Sequence, residues 1–358
     1  PAPAAASAGG GGFPSLGVSA GFLRAFQSRW RHVIRGWTTE QVCQQLVKPL
    51  TSRRGRSVCE DLQAAGGGDA GEATLFLSHT WGNQFLDTVD AALGAAAEAE
   101  AAAGGVVYMW FDVFSTSQHC ALDIPSSEWM RVFRQAIEKM GSLAMVLQPW
   151  NDPLALKRAW CAAAACCCLL LRVLGCAGGL TACCRCVLEL HAIATKKMEE
   201  SAEFAVAMTE REKHRFLSDL QASKLVDNPY TMWFDLNAEM SDCSRSEDRK
   251  SIHDGIRDGC GFIRLNRDVV GVMEEWFLGQ QLLNAAIALE ANETSVYVAW
   301  KAIAIATVSL LGKLEDGMHM IDDLLKNDTV SQLFAQFEQG GHVSGKCAYT
   351  NRVCSRFI

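Results

Sequence analysis

Most of the side chains suited to chemistry stand where apolar runs end. Ser78 and His79 close the run "ATLFLSH" (73–79), and Trp81 follows two residues on. A hydroxyl and main-chain amides at a strand end can meet a phosphate or a ribose, or can simply make the turn. Asp112 sits inside "VVYMWFDVF" (106–114), where an ionised carboxylate is costly unless it is partnered. It is either a site residue or the partner of Arg158. Trp81 and Trp150 are strand-end aromatics able to stack on a planar ring or to close a core. Trp160 has the same two readings, a wall of a nucleotide site or core. Cys161 beside it has no evident His/Asn pairing and reads as a small buried thiol. Gln118 and His119 follow Asp112 on a connecting stretch.

These residues need elements to position them. "ATLFLSH", "VVYMWFDVF" and "SLAMVLQPW" (142–150) are near-continuous apolar runs, the pattern of strands buried on both faces of a parallel sheet. Between them, Phe85, Val89 and Leu93 lie four apart, and Trp129, Val132, Phe133, Ala136 and Ile137 form a second helical stripe. Strand, helix, strand, helix, strand predicts an α/β domain, whose ligands bind beyond the carboxyl ends of the strands. Thr38 and Thr39 are candidate caps of a preceding helix on which Val42, Leu46 and Val47 share a face, and the Ala/Glu/Gly tail after Leu93 reads as low complexity. Downstream, "TEREKHRFLSDLQASKLVD" reads as a charged helix, "YTMWFDLN" as a fourth strand and "GFIRLN" as a short strand. From Asp268 onward the pattern is helical. "VYVAWKAIAIATVSLLGKL" contains Lys301 and reads as a buried helix rather than a membrane span.

Composition narrows the function classes. A net charge of −7 over 358 residues offers no basic stripe for a nucleic-acid backbone. The chain has 15 cysteines, many of them crowded into residues 161–186 and the others scattered as reduced thiols in a cytoplasmic protein would be. No CxxC pair has a matching partner, so no metal ligand set is expected. The opening "PAPAAASAGGGGFPSLG" lacks a cationic stretch followed by a long apolar one, and residues 1–36 read as low-complexity and disordered.

The segment 162–186 interrupts "RAWC" and "VLEL". A membrane span there would carry Arg172 at its centre and pierce an α/β core. The segment reads instead as a low-complexity insertion, because Ala, Cys and Leu are what a GCT-type trinucleotide repeat encodes in its three frames.

The order "ATLFLSHTWGNQFLDTVDAAL", "YMWFDVF", "FRQAIEKMGSLAMVLQPW" and "RAWC…VLEL" resembles a Toll/interleukin-receptor (TIR) domain, closest to a divergent TIR-like group of algae and protists. The resemblance covers about residues 37–276, with its strong matches between Thr74 and Ala194. It implies a flavodoxin-like, TIR-like parallel sheet flanked by helices over 37–267, followed by a mostly helical extension over 268–358. It also implies a signalling domain that self-associates. Where such domains are active they cleave the nicotinamide–ribose bond of NAD, which is substrate and not cofactor. The chemistry needs a carboxylate beside a ribose that becomes oxocarbenium-like as the cationic nicotinamide leaves. Glu189 matches that carboxylate; its other reading is a helix glutamate near the positive end of the macrodipole. Ser78, His79, Trp81, Asp112, Trp150 and Trp160 would then line the nucleotide site. The alternative function is a non-catalytic protein–protein interaction module.

Overall fold

The computed structural model describes residues 14–119, 135–137, 139–151, 153, 155, 203–222, 238–240, 253–254, 256–257, 261–310 and 313–327. The chain divides into two compact units, one of residues 1–216 and 232–272, the other of residues 217–231 and 273–358.

The first unit is built on a six-stranded sheet of order β2-β1-β4-β3-β5-β6. Its strands are β1 (Leu16–Ser19), β2 (Ala70–Glu72), β3 (Leu75–Ser78), β4 (Tyr108–Trp110), β5 (Ser142–Val146) and β6 (Glu203–Ala207). From β4 through β3 and β5 to β6 the pairing is parallel, with Phe76 opposite Trp110 and Leu143, and Ser78 opposite Met145. β1 is antiparallel to both β2 and β4, so the sheet is mixed. The expected α/β class holds. All four residues of β3 are buried, as its unbroken apolar run requires of a strand covered on both faces.

One face carries α1 (Ala20–Ile34) and α5 (Phe85–Ala103). Leu75 and Leu77 of β3 and Ala144 and Val146 of β5 join the core there. Phe26 meets Phe114 edge-on at 5.0 Å and Phe85 at 5.8 Å, while Phe111 stacks on Phe85 at 6.1 Å. On the alternate side of β3, Phe76 stacks on the indole of Trp110 at 4.8 Å.

Three expectations change. Residues 16–34, read as part of a disordered stub, form β1 and α1. The reason lies in Ser19, whose hydroxyl accepts the Phe22 N–H at 3.0 Å as an N-cap, and in the buried stripe Leu23, Phe26 and Ile34. α5 continues to Ala103, because alanine is the strongest helix former and Ala91, Ala92, Ala95 and Ala96 are buried. It ends where Gly104 turns left-handed, at φ 67°. "GFIRLN" opens α8 (Gly261–Glu290) instead of a strand. β6 was not expected at all. The charged helix is α7 (Glu210–Ala222). "YTMWFDLN" lies outside the described residues, as does most of the expected helix before β5, although its Ala136 and Ile137 are helical and buried.

The stretch 37–62 is broken into several pieces. α2 (Thr39–Val42) begins with a capping box in which Thr38 and Gln41 bond reciprocally. It passes through a π-helical turn, Cys43–Val47, into α3 (Lys48–Thr51), and α4 (Val58–Ala64) follows with its own box from Ser57 and Glu60. Val42, Leu46 and Val47 are buried together as their spacing predicts.

The second unit is helical where described: α8 from Met273 on, α9 (Thr294–Leu310) and α10 (Leu314–Leu325). Within it, Thr307 donates to the carboxamide oxygen of buried Gln281 at 3.1 Å. Among the described residues no helix is long and apolar enough to cross a membrane.

Candidate functional site

β3 leads in the chain to β4 on one side of it, and its other neighbour β5 leads to β6 on the opposite side, so the connections from the carboxyl ends of β3 and β5 leave in opposite directions. Such a switch point is where open parallel sheets bind ligands. Ser78–Asn83 and Leu147–Trp150 follow the two strands that flank it, and Phe111–Gln118 follows β4.

The loop after β3 is held from outside by α2. The first-turn N–H groups of Thr39 and Glu40 have no partner within their own helix; they donate to the carbonyls of Asn83 and Trp81, both at 3.0 Å. Phe85 N–H returns to Trp37 O at 2.9 Å. This fixes Trp81 with its indole turned inward.

Asp112 is the residue on which that loop and the turn after β4 converge. It begins the single-turn helix α6 (Asp112–Ser115) and is buried. Its Oδ1 lies 2.7 Å from His79 Nε2, and its Oδ2 accepts the Trp81 Nε1–H at 2.8 Å. An ionised carboxylate among Phe111, Val113 and Phe114 would be costly without such donors. The acceptor role of the carboxylate puts the imidazole proton on Nε2. His79 also packs edge-on against Phe111 at 4.7 Å. The turn is secured at both ends: Ser115 Oγ accepts the Phe111 N–H at 3.1 Å, and Gln118 Nε2 donates to the Asp112 carbonyl at 2.8 Å.

Two buried thiols stand behind the cluster. Burial, then the negative charge of Asp112, pushes the Cys43 thiol up to about 12. Burial pushes Cys59, which touches Ser115 Oγ at 3.7 Å, up to about 12 as well. Neither is a thiolate nucleophile at neutral pH.

Trp150 is placed differently. It follows the cis Gln148–Pro149 bond, is buried, and meets Phe216 of α7 edge-on at 5.3 Å. Its main-chain N–H donates to Glu212 Oε2 at 3.1 Å, and Glu212 Oε1 accepts from Arg215 at 2.7 Å. Its indole thus contributes to closing the β5 end against α7. Ser78 ends β3 on the side opposite the helix-covered Leu77, next to Met145. The structure therefore brings His79, Trp81 and Asp112 into contact, with Ser78 adjoining in the chain and Trp150 beyond the neighbouring strand. Glu189, Trp160, Cys161 and Arg158 lie outside the described residues, as does the segment 162–186.

Sequence reasoning did not single out Thr80, Asn83, Thr116 or Gln148. Ser78 Oγ, Thr80 Oγ1, Asn83 Nδ2, Thr116 Oγ1 and Gln148 Nε2 are buried without a hydrogen-bond partner among the described residues. Ser78 ends β3, and the other four follow the carboxyl ends of β3, β4 and β5. Such groups suit a polar, uncharged acceptor or hydroxyl better than a metal. Among the described residues, no three His, Cys, Asp or Glu side chains group to hold a metal ion.

Fold and cluster together define an α/β protein with a buried His–Asp–Trp clamp at the carboxyl edge of its parallel strands. Comparison with known proteins finds no family model, no curated protein and no solved structure that matches the chain.

Proposed function

We propose that the chain is a TIR-like signalling domain that cleaves the nicotinamide–ribose bond of NAD, with Glu189 as the catalytic carboxylate. The observation that carries this reading is the meeting of two motif boxes, "SHTW" and "FDVF", at the carboxyl edge of the sheet. There His79 and Trp81 of the first hold Asp112 of the second. The parallel strands β4-β3-β5-β6 also follow the order 2-1-3-4 of a flavodoxin-like sheet. Both oxygens of Asp112 are engaged by donors, so it acts as a structural anion and not as the group that meets the ribose. The resemblance, and not the geometry of Asp112, matches Glu189 to the reaction's carboxylate. Ser78, His79, Trp81 and Trp160 belong to the nucleotide side of the site, Trp150 closes the core beside it, and NAD is the substrate of a cytoplasmic enzyme that self-associates.

The test is nicotinamide release from NAD by the full chain, concentrated or clustered, against Glu189→Ala. Release that the substitution abolishes is the expected result. No release, or release equal in the variant, removes the enzymatic reading. The second reading, a non-catalytic self-association module, is favoured by the same clamp seen from the other side, since His79, Trp81 and Asp112 satisfy one another in the interior. It predicts concentration-dependent oligomers with no NAD turnover.

A further inference from the structure

We infer that Gln118 is the positioning residue of the clamp, setting where the Asp112 carboxylate points. A four-residue helix leaves most of its carbonyls without intrahelical partners, although Asp112 O already accepts the Thr116 N–H at 3.1 Å. Gln118 adds a second donor to Asp112 O and reaches two further carbonyls of the same turn. Its Nε2 donates to the carbonyl of Asp112 at 2.8 Å, of Thr116 at 3.1 Å and, more weakly, of Val113 at 3.4 Å. Its Oε1 faces the Cys43 thiol at 3.4 Å.

The chemistry of these partners leaves one orientation for the amide. Carbonyls accept and cannot bond Oε1, whereas a thiol that keeps its proton donates and suits Oε1. The raised Cys43 pKa agrees with a proton that stays on sulfur. The chain of contacts runs from the π-helical turn (Cys43) through Gln118 to the Asp112 main chain, and from the Asp112 carboxylate to His79 and Trp81. Two further bonds tie the same stretch to the same region: Ser117 Oγ donates to Gly55 O at 2.8 Å, and Thr51 Oγ1 lies 2.9 Å from His119 Nε2. The segment 39–55, helical to Thr51 and a turn beyond it, thus acts as the outer support of the site, with Gln118 as the link.

For turnover, this role rests on the NAD reading above; for the clamp itself it does not. The test therefore reads the clamp directly, through the Trp81 indole N–H resonance of the full chain, assigned by its loss in Trp81→Phe. In Gln118→Ala that resonance moves from its wild-type position as the Asp112 bond lengthens. The Trp110 indole, bonded to Pro14 O at 2.8 Å, stays in place as the internal control. A folded Gln118→Ala protein with the Trp81 resonance unmoved overturns the inference. If that variant does not fold, Cys43→Ala and Cys43→Ser decide: movement in the first and return in the second, which restores a donor, supports the link. No movement in either overturns it. In the NAD assay, Gln118→Ala lowers kcat about tenfold to a hundredfold with KM little changed. A wild-type chain that releases no nicotinamide, with the resonance still moving in Gln118→Ala, removes the NAD reading and supports the positioning role.

Discussion

Cys43 and Cys59 show what a buried thiol does beside an acidic cluster. Both are inaccessible, and both are held as thiols with pKa values of about 12 against an ordinary 9.0, burial being the larger cause in each. An acid whose folded pKa is raised favours the fold fully below the unfolded value and loses that contribution as pH climbs to the folded one. The unfolded chain gives up these protons near pH 9 and the folded chain only near 12, so their contribution to stability drains away across that window. Urea titrations at stepped alkaline pH should show a shallower decline in Cys59→Ala than in the parent. In the native protein, peptide-resolved alkylation at pH 8 should leave both cysteines unmodified, and urea should expose them. Rapid native labelling at either position would contradict the buried assignment. His79, Trp81 and Asp112 were legible in the sequence because each stands at the end of, or inside, an apolar run where a polar group needs a reason. Cys43 and Gln118 were not legible as partners, because the bond between them spans 75 positions and neither residue type is unusual in its own stretch.

At the level of elements, the parallel strands β3, β4 and β5 were readable from unbroken apolar runs, whereas β1, β2 and β6 were not. β1 and β2 are short, contain glycine and show no alternation; what makes them strands is their pairing with each other and, for β1, with β4. The glycines record how closely these pieces approach. A Cβ on Gly17 would lie 2.6 Å from the Met109 carbonyl oxygen, and a Cβ on Gly71 would lie 2.6 Å from the Tyr108 ring. The first clash is with backbone inside the sheet and can be relieved only by moving β1 away from β4. The second is with a half-buried side chain that can swing, giving up the bond from its hydroxyl to Gly68 O. Gly17→Ala should therefore cost about 1–3 kcal/mol of stability, in the range of overpacked interiors. Gly71→Ala should cost less. Urea unfolding midpoints of the two variants check the order, and a Gly17→Ala protein as stable as the parent would mean that β1 is not held against β4 as described.

For the whole molecule, the telling connection is the one between β5 and β6. These strands are parallel neighbours, paired from Ser142 opposite Glu203 to Val146 opposite Ala207, yet residues 147–202 lie between them in the chain. A parallel crossover needs only about a dozen residues, usually including a helix. Residues 147–161 and 187–202 together meet that need without the Ala/Cys/Leu-rich segment 162–186. Their sequence would rejoin as "RAWCVLELHAIA", restoring one uninterrupted motif around Glu189. The reading of 162–186 as an interruption rests on its composition, whereas the pairing of β6 with β5 shows what the connection has to span. Deleting residues 162–186 should leave the sheet intact, so that the shortened protein keeps its far-ultraviolet circular dichroism and unfolds no earlier in urea than the parent. Under the NAD reading it should also release nicotinamide at least as fast, because a shorter connection places Glu189 with less freedom relative to β5 and a misplacement of about 1 Å can cost roughly a hundredfold in rate. A deleted protein that loses its fold would show that the segment is a structural part of the crossover. One that folds but loses turnover present in the parent would show that the segment itself helps to place the carboxylate.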